Sequence, residues 1–123
     1  RAYPWGDGEP SCSLANSYTN NSGSYCVGDT SAVGSYPAGA SPYGALDMAG
    51  NVWEWMIDWY SSTYYSGSPY SNPQGPDIGT GRVVRGGSWY YVWYDLRTAS
   101  RGFNYPANYN SNVGFRCASP EGN

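Results

Sequence analysis

The stretch Gly86-Gly87-Ser88-Trp89-Tyr90-Tyr91-Val92-Trp93-Tyr94-Asp95, running on through Leu96-Arg97-Thr98-Ala99-Ser100-Arg101 to Gly114-Phe115-Arg116-Cys117-Ala118, decides how this chain is read. Two apolar, strand-like anchors bracket a segment rich in Tyr, Asn and small residues. Neither a period of 2 nor one of 3.6 runs across it, so it reads as a segment that does not pack itself into a core. Large amphipathic rings mixed with Ser, Gly and Asn have the composition of an antibody-like contact surface. Tyr and Trp give contact area at low entropic cost, and Ser, Gly and Asn adapt their hydrogen bonds. The remainder reads as a frame that presents residues 86–118.

Working outward, 123 residues make one domain with a modest core. No apolar run approaches the 18 residues of a membrane span, and no signal peptide is evident. The chain starts at Arg1 rather than Met, which reads as a processed or excised piece of something longer. Six Arg against nine Asp plus Glu give a net charge of −3, with neither Lys nor His. A mildly acidic chain without a basic stripe is a poor partner for nucleic acid. The lack of His removes the usual general base and the commonest zinc and iron ligand. With 14 Tyr and 6 Trp, rings exceed what a core of this size needs, so some are expected to be exposed for contact.

Cys12 and Cys26 lie in a polar stretch rich in Gly, Ser and Asn. A bridge between them would close a loop of about 15 residues, stabilise by roughly 3 kcal/mol and point to an oxidising, extracellular or cell-surface setting. The alternative is two reduced thiols. Cys117 sits on an apparent strand and reads as a buried small hydrophobe rather than a nucleophile.

Along the chain, Tyr3-Pro4-Trp5-Gly6-Asp7 reads as an ordered loop pinned by Trp5. Residues 8–34 are loop-like, and Asn20-Asn21-Ser22 is a glycosylation sequon. Residues 52–57 alternate, with Trp53, Trp55 and Ile57 on one face and Val52, Glu54 and Met56 on the other, a strand with both faces mostly covered. Residues 61–81 form a long loop of the kind that tends to be functional or mobile. A second strand at 82–85 stops at Gly86-Gly87, which suggests a bulge or a close backbone approach. A third strand is expected at 113–118. Residues 96–101 are the best short helical turn, placing Arg97 and Arg101 four apart on one face. No internal repeat is present.

Four motifs, in order, resemble the formylglycine-generating enzyme, or sulfatase-modifying factor, family. They are Tyr3-Pro4-Trp5-Gly6-Asp7, Tyr43-Gly44-Ala45-Leu46-Asp47-Met48-Ala49-Gly50-Asn51-Val52-Trp53-Glu54-Trp55, Arg82-Val83-Val84-Arg85-Gly86-Gly87-Ser88-Trp89 and Gly114-Phe115-Arg116-Cys117-Ala118. The resemblance implies an α+β, C-type lectin-like fold with a small mixed sheet, few helices and much irregular structure. It implies that residues 1–123 are a single domain corresponding to the C-terminal part of the family's domain. The family holds enzymes and non-enzymes, so fold does not settle function. Its formylglycine-generating enzymes bind copper through two Cys shortly after the Gly-Gly-Ser-aromatic motif. Here the first of those positions falls at Tyr91, and no Cys lies between Gly86 and Asn112. Its sulfoxide synthases bind iron through His, and this chain has none. Thiolate and imidazole are what those metals require, so neither copper nor iron is expected, and the chain is expected not to be an enzyme.

The chain is most similar to the family's variable proteins of diversity-generating retroelements. These carry hypervariable slots inside a frame resembling Leu-Arg-Thr-Ala-x-Arg, Pro-Ala-Asn and Val-Gly-Phe-Arg. The resemblance places ligand-binding slots at Tyr90, Tyr91, Val92, Tyr94, Asp95, Ser100, Gly102, Phe103, Asn104, Tyr105, Asn108, Tyr109, Asn110 and Ser111, with Asn112 a further slot. Randomised adenines in template Asn codons exclude Lys, Gln, Glu, Met and Trp, and no slot holds one. Trp93 departs from the pattern and reads as frame or as the product of a different template codon. The resemblance also implies a calcium site at Asp47, Gly50, Val52 and Glu54, hard oxygens around a tight turn. Alternatively, Asp47 caps that turn and Glu54 pairs with an arginine. A second family calcium site maps near residues 16–25, where no matching carboxylate is evident. Arg97, Arg101 and Arg116 either grip an anionic ligand or make ion pairs near Glu54 and Asp58.

The expected function is therefore non-catalytic ligand binding on a cell or phage surface, with Tyr and Trp as hot spots. The ligand is a protein or a glycan, with no nucleic acid and no direct membrane insertion. The alternatives are an oxidoreductase fragment of the formylglycine-generating type, and a structural, homo-oligomeric protomer of a surface assembly.

Overall fold

The computed structural model describes residues 1–19 and 23–119. The sequon Asn20-Asn21-Ser22 lies outside the described residues. Six short strands form two sheets. β1 (Tyr18–Thr19) and β2 (Ser24–Tyr25) make an antiparallel hairpin. β3 (Trp53–Trp59), β4 (Arg82–Arg85), β5 (Gly102–Asn104) and β6 (Val113–Gly114) make a mixed sheet in the order β5-β4-β3-β6. Helical structure among the described residues is confined to two 3-10 turns, Pro37–Gly39 and Tyr64–Ser66. The α part of the α+β expectation, including the helical turn at 96–101, is not formed. Successive turns replace it: the Asp95 amide donates to Val92 O, Leu96 to Trp93 O and Ser100 to Arg97 O. The Thr98 amide donates to Ala2 O, which ties this run to the amino-terminal loop.

The sheet centre follows from its side chains. Val83 and Val84 point to opposite faces of β4, and both are buried, as is Trp53 on β3. β3 and β4 run antiparallel, with Trp55 opposite Val84 and Trp59 opposite Arg82, so the register shifts between the two pairs. That irregularity corrects the expected faces of residues 52–57. Ile57 lies within it and is 87% exposed, so it does not share the cover of Trp53.

β5 was not expected, because Gly102-Phe103-Asn104 has no alternation of its own. β4 makes it a strand, with Val83 opposite Phe103 and Val84 opposite Gly102. The third expected strand is shorter than 113–118. β6 pairs parallel with β3 at Val113 and Gly114, and residues 115–119 are exposed. Cys117 is therefore an exposed free thiol and not a buried hydrophobe.

A second packed centre joins Tyr3, Ala15, Ala49 and Leu96, with Ala2 and Trp5 against it. Tyr3 and Trp5 stack at 5.2 Å, and Tyr3 and Gly6 exchange backbone hydrogen bonds. Leu96, at 1% exposure, comes from the middle of the stretch read as unable to contribute to a core. The two glycines ending β4 allow its approach. Gly86 and Gly87 have φ of +91° and +71°, and a Cβ on Gly87 would lie 2.8 Å from Leu96 Cδ2.

Residues 8–19 and 23–34 are held by more than a bridge. Cys12 and Cys26 do form a disulfide, with Cα atoms 5.3 Å apart. Beside it, buried Asn16 donates through Nδ2 to Asp29 O at 2.8 Å. Asn51 (φ 65°) donates its amide to Asn16 O, and its Oδ1 accepts the Ser31 amide, each at 2.8 Å. These paired polar groups replace an apolar core where the sequence supplies few apolar side chains.

Candidate functional site

A cleft of about 470 Å³ opens over β4, β5 and β6. Its floor is Trp53, Val84 and Val113. Its walls carry Tyr60, Tyr91, Phe103, Asp95, Arg101, Asn104, Asn110 and Asn112. Of the expected slots, Tyr91, Asp95, Gly102, Phe103, Asn104, Asn110 and Asn112 come together here, although they are spread over some twenty positions of sequence. Gly102 is there for fit: a Cβ would meet Val84 Cγ2 at 3.3 Å and Trp53 at 3.8 Å. Outside the cleft, Tyr90 and Tyr94 are exposed beside it in sequence, and Tyr105, Asn108, Tyr109 and Ser111 are exposed in the turns between β5 and β6. Val92 is half-buried. Ser100 turns away from the cleft, and its carbonyl accepts from Arg85 Nη1.

The rings are not independent. Tyr25 contacts Tyr18 at 5.1 Å, Trp89 at 5.7 Å and Tyr90 at 5.8 Å. Tyr90 contacts Tyr91 at 5.9 Å, and Tyr91 meets Trp53 edge-on at 5.4 Å. A chain of edge and stacked contacts thus runs from the disulfide-closed hairpin to the sheet floor. The Tyr18 amide also donates to Tyr91 O at 3.1 Å. On the far wall Phe103 stacks with Tyr60 at 4.8 Å, and the Arg101 guanidinium lies over Tyr60 and Tyr65 while Nη2 donates to Ser61 O. Tyr18, Tyr25, Tyr60 and Tyr65 were not among the expected site residues. Only the disulfide and the β3–β5 arrangement bring them in.

Asp95 is the carboxylate of the cleft. Burial pushes its pKa above the ordinary 3.8, and no cation pairs with it among the described residues.

Arg116 answers to a different set. Its Nε donates to Glu54 Oε1 and Oε2 at 2.8 and 2.7 Å, Nη1 to Leu46 O at 2.9 Å and Nη2 to Asp47 O at 2.8 Å. The hydrogen bonds to Glu54 push its pKa up further. Asp47 (φ 54°) accepts the Gly34 amide on Oδ2 at 2.7 Å. Asp47, Gly50, Val52 and Glu54 do line one cleft, and Arg116 lines it with them. The Glu54 carboxylate and the Asp47 carbonyl are thus spent on a guanidinium, and a calcium ion does not fit on the same oxygens unless Arg116 leaves. No group of three or more His, Cys, Asp or Glu suited to a metal occurs among the described residues. Arg101 makes ring and carbonyl contacts in place of an ion pair with Asp58, and Arg97 is exposed.

The sulfatase-modifying factor enzyme 1-like domain family matches residues 1–120. The chain is 52% identical over 92 residues to a serine/threonine-protein kinase pkn1 of Chlamydia caviae, covering 73% of this chain and 15% of that protein. It is 48% identical over 82 residues to the formylglycine-generating enzyme of Streptomyces coelicolor, covering 63% of this chain and 26% of the enzyme. In structure it is similar to Treponema denticola variable protein 1, with a TM-score of 0.68 at 34% identity, over 84% of this chain and 34% of that one. The chain therefore spans about a third or less of each of these proteins.

Proposed function

The chain belongs to the sulfatase-modifying factor enzyme 1-like domain family, and within it we propose a non-catalytic, ligand-binding domain that presents a Tyr- and Asn-rich face on a C-type lectin-like frame. One observation carries the reading: seven positions marked in sequence as contact slots line a single cleft whose floor is the buried centre of the sheet. A rigid floor with rings and amides around it suits recognition by shape and hydrogen bonding. The likeness to a variable protein of Treponema denticola supports it. The family also includes enzymes. Against a catalytic role here stands Tyr91, in the place where copper-binding relatives carry their first Cys, turned instead onto Trp53. The ligand is a protein, met at a cell or particle surface, with ring hot spots at Tyr91 and Phe103.

The test is genetic and biochemical. Sequencing the gene across a population, with its flanking DNA, is expected to give substitutions confined to adenine-derived codons at the slots and an Asn-rich template repeat nearby. A fixed gene without a template would discard diversification. Copper-loaded protein that oxidises a cysteine-containing peptide would discard the non-catalytic reading.

A further inference from the structure

We propose that a second cleft, lined by Arg1, Arg85 and Arg97, binds a small soluble amphiphile: an oxyanion head taken by the guanidiniums and an aliphatic body seated on Met48, Met56 and Pro42. This cleft has a volume of about 580 Å³ and shares no lining residue with the ring-walled cleft over β4–β6.

Charge is the first argument. The whole chain carries six Arg and is net −3, yet three of the six line this one concavity. The only carboxylate lining it, Glu54, is already held by Arg116. None of the three guanidiniums has a carboxylate partner among the described residues. Arg1 spends Nη1 on Pro4 O at 3.2 Å, and Arg85 spends Nη1 on Ser100 O. The Arg97 guanidinium makes no hydrogen bond or ion pair among the described residues, although its backbone carbonyl accepts the Ser100 amide. Arginine is charged at every relevant pH and offers five donors in a fork that matches carboxylate or phosphate. Three such groups around one concavity raise the local concentration of anions.

The walls supply the second argument. Between the arginines lie Pro4, Pro42, Tyr43, Met48 and Met56, with fully buried Leu96 beneath. Tyr43 and Met48 are exposed. Methionine thioethers adapt to irregular apolar bodies, and the volume is that of a small-ligand site. A bare inorganic anion would leave these walls wet. A nucleic-acid backbone would need a stripe of cations rather than a cup.

The probe is octanoate, titrated into the purified chain by calorimetry. Octanol is expected to bind at least tenfold more weakly. Arg97→Gln is expected to weaken octanoate roughly tenfold, the loss of one charge-assisted hydrogen bond. The Arg97 side chain is exposed and its one hydrogen bond is made by the backbone, which Gln keeps, so that variant is expected to stay folded. Met48→Ala is expected to weaken octanoate and not acetate, which isolates the apolar wall. Equal binding of octanoate and octanol, an unchanged Arg97→Gln, or no octanoate binding would each overturn the proposal. Capture of anionic phospholipid vesicles without octanoate binding would overturn the assignment to a soluble amphiphile.

Discussion

Tyr94 and Leu96 stand two positions apart and do opposite work. Tyr94 is 54% exposed, with its ring edge-on to neighbouring Trp93, whereas Leu96 is 1% exposed and closes the centre formed by Tyr3, Ala15 and Ala49. The same division repeats along residues 86–112. Ser88 is fully buried beside half-exposed Trp89 and exposed Tyr90, and Gly102 lies on Val84 beside exposed Phe103. The presented face is thus not a loose loop covering itself. It is stapled to the frame at Ser88, Leu96 and Gly102 and again where β6 begins at Val113, and the exposed side chains lie between these staples. A face built this way can vary its contacts without renegotiating its core.

The largest effect should separate the two classes outright. Leu96→Ala removes a buried side chain in a small core, and about 2–5 kcal/mol of destabilisation is expected. Tyr94→Ala should stay within about 0.5 kcal/mol, as surface changes do. Urea denaturation of both variants measures this. Similar losses at the two positions would dissolve the distinction between staple and face.

Which of these roles could be read from sequence follows from what signals each. β4 and its stop were legible, because Val83-Val84 next to Gly86-Gly87 is a local pattern. Seven cleft positions were legible through the family resemblance. β5 was not, since Gly102-Phe103-Asn104 becomes a strand only by pairing with β4, a tertiary effect on a weak local preference. Leu96 hid for a related reason: a single apolar residue in a chain of turns shows no period. The spine of Asn16 and Asn51 gave no signal either, because buried amides look like loop residues until their partners are known. Cys117 misled because residues 113–118 read as one strand, whereas the parallel pairing ends at Gly114 although β3 runs on to Trp59.

The next effect probes the frame under the rings. Reducing the Cys12–Cys26 bridge, or replacing both residues by Ala, should cost about 3 kcal/mol. Tyr25 follows Cys26's hairpin and joins Tyr18, Trp89 and Tyr90. The near-ultraviolet circular dichroism of the aromatic rings should therefore weaken before the sheet unfolds. If that signal survives reduction, the hairpin does not hold the ring chain. Gly87→Ala should cost less, about 2 kcal/mol, from the positive φ and the contact with Leu96. Gly44→Ala is its control, because Gly44 has φ +79° with open space around its Cβ and so shows the strain alone.

Smaller still is the electrostatic cost of the face. Burial raises the Asp95 pKa above 3.8, so the folded state disfavours its charged form. The stability it contributes is fully present below the unfolded value and is lost as pH rises through the folded one. Asp95→Asn should therefore raise the melting temperature slightly at pH 7, and the gain should vanish at pH values below the ordinary carboxylate range. A gain that persists there would mean the effect is packing and not charge.

The smallest expected change is none. A calcium ion that bound the folded chain at a hundred times its dissociation constant would add about 2.7 kcal/mol of stability. Asp47 and Glu54 sit where the family resemblance puts such an ion, but Arg116 already neutralises Glu54 with a fork of hydrogen bonds and takes the Leu46 and Asp47 carbonyls as well. Like charges cannot share those oxygens, so calcium has to displace the guanidinium and pay for its lost partners. Millimolar calcium, or a chelator, should leave the melting temperature of the native chain where it is. Arg116→Gln should lower that temperature, because Glu54 loses its partner. It should also make the variant, unlike the native chain, respond to calcium, because the carboxylate is then free for a hard cation. A calcium-dependent rise in the native chain would show that the guanidinium yields, and would move this corner of the frame from a fixed ion pair to a metal site.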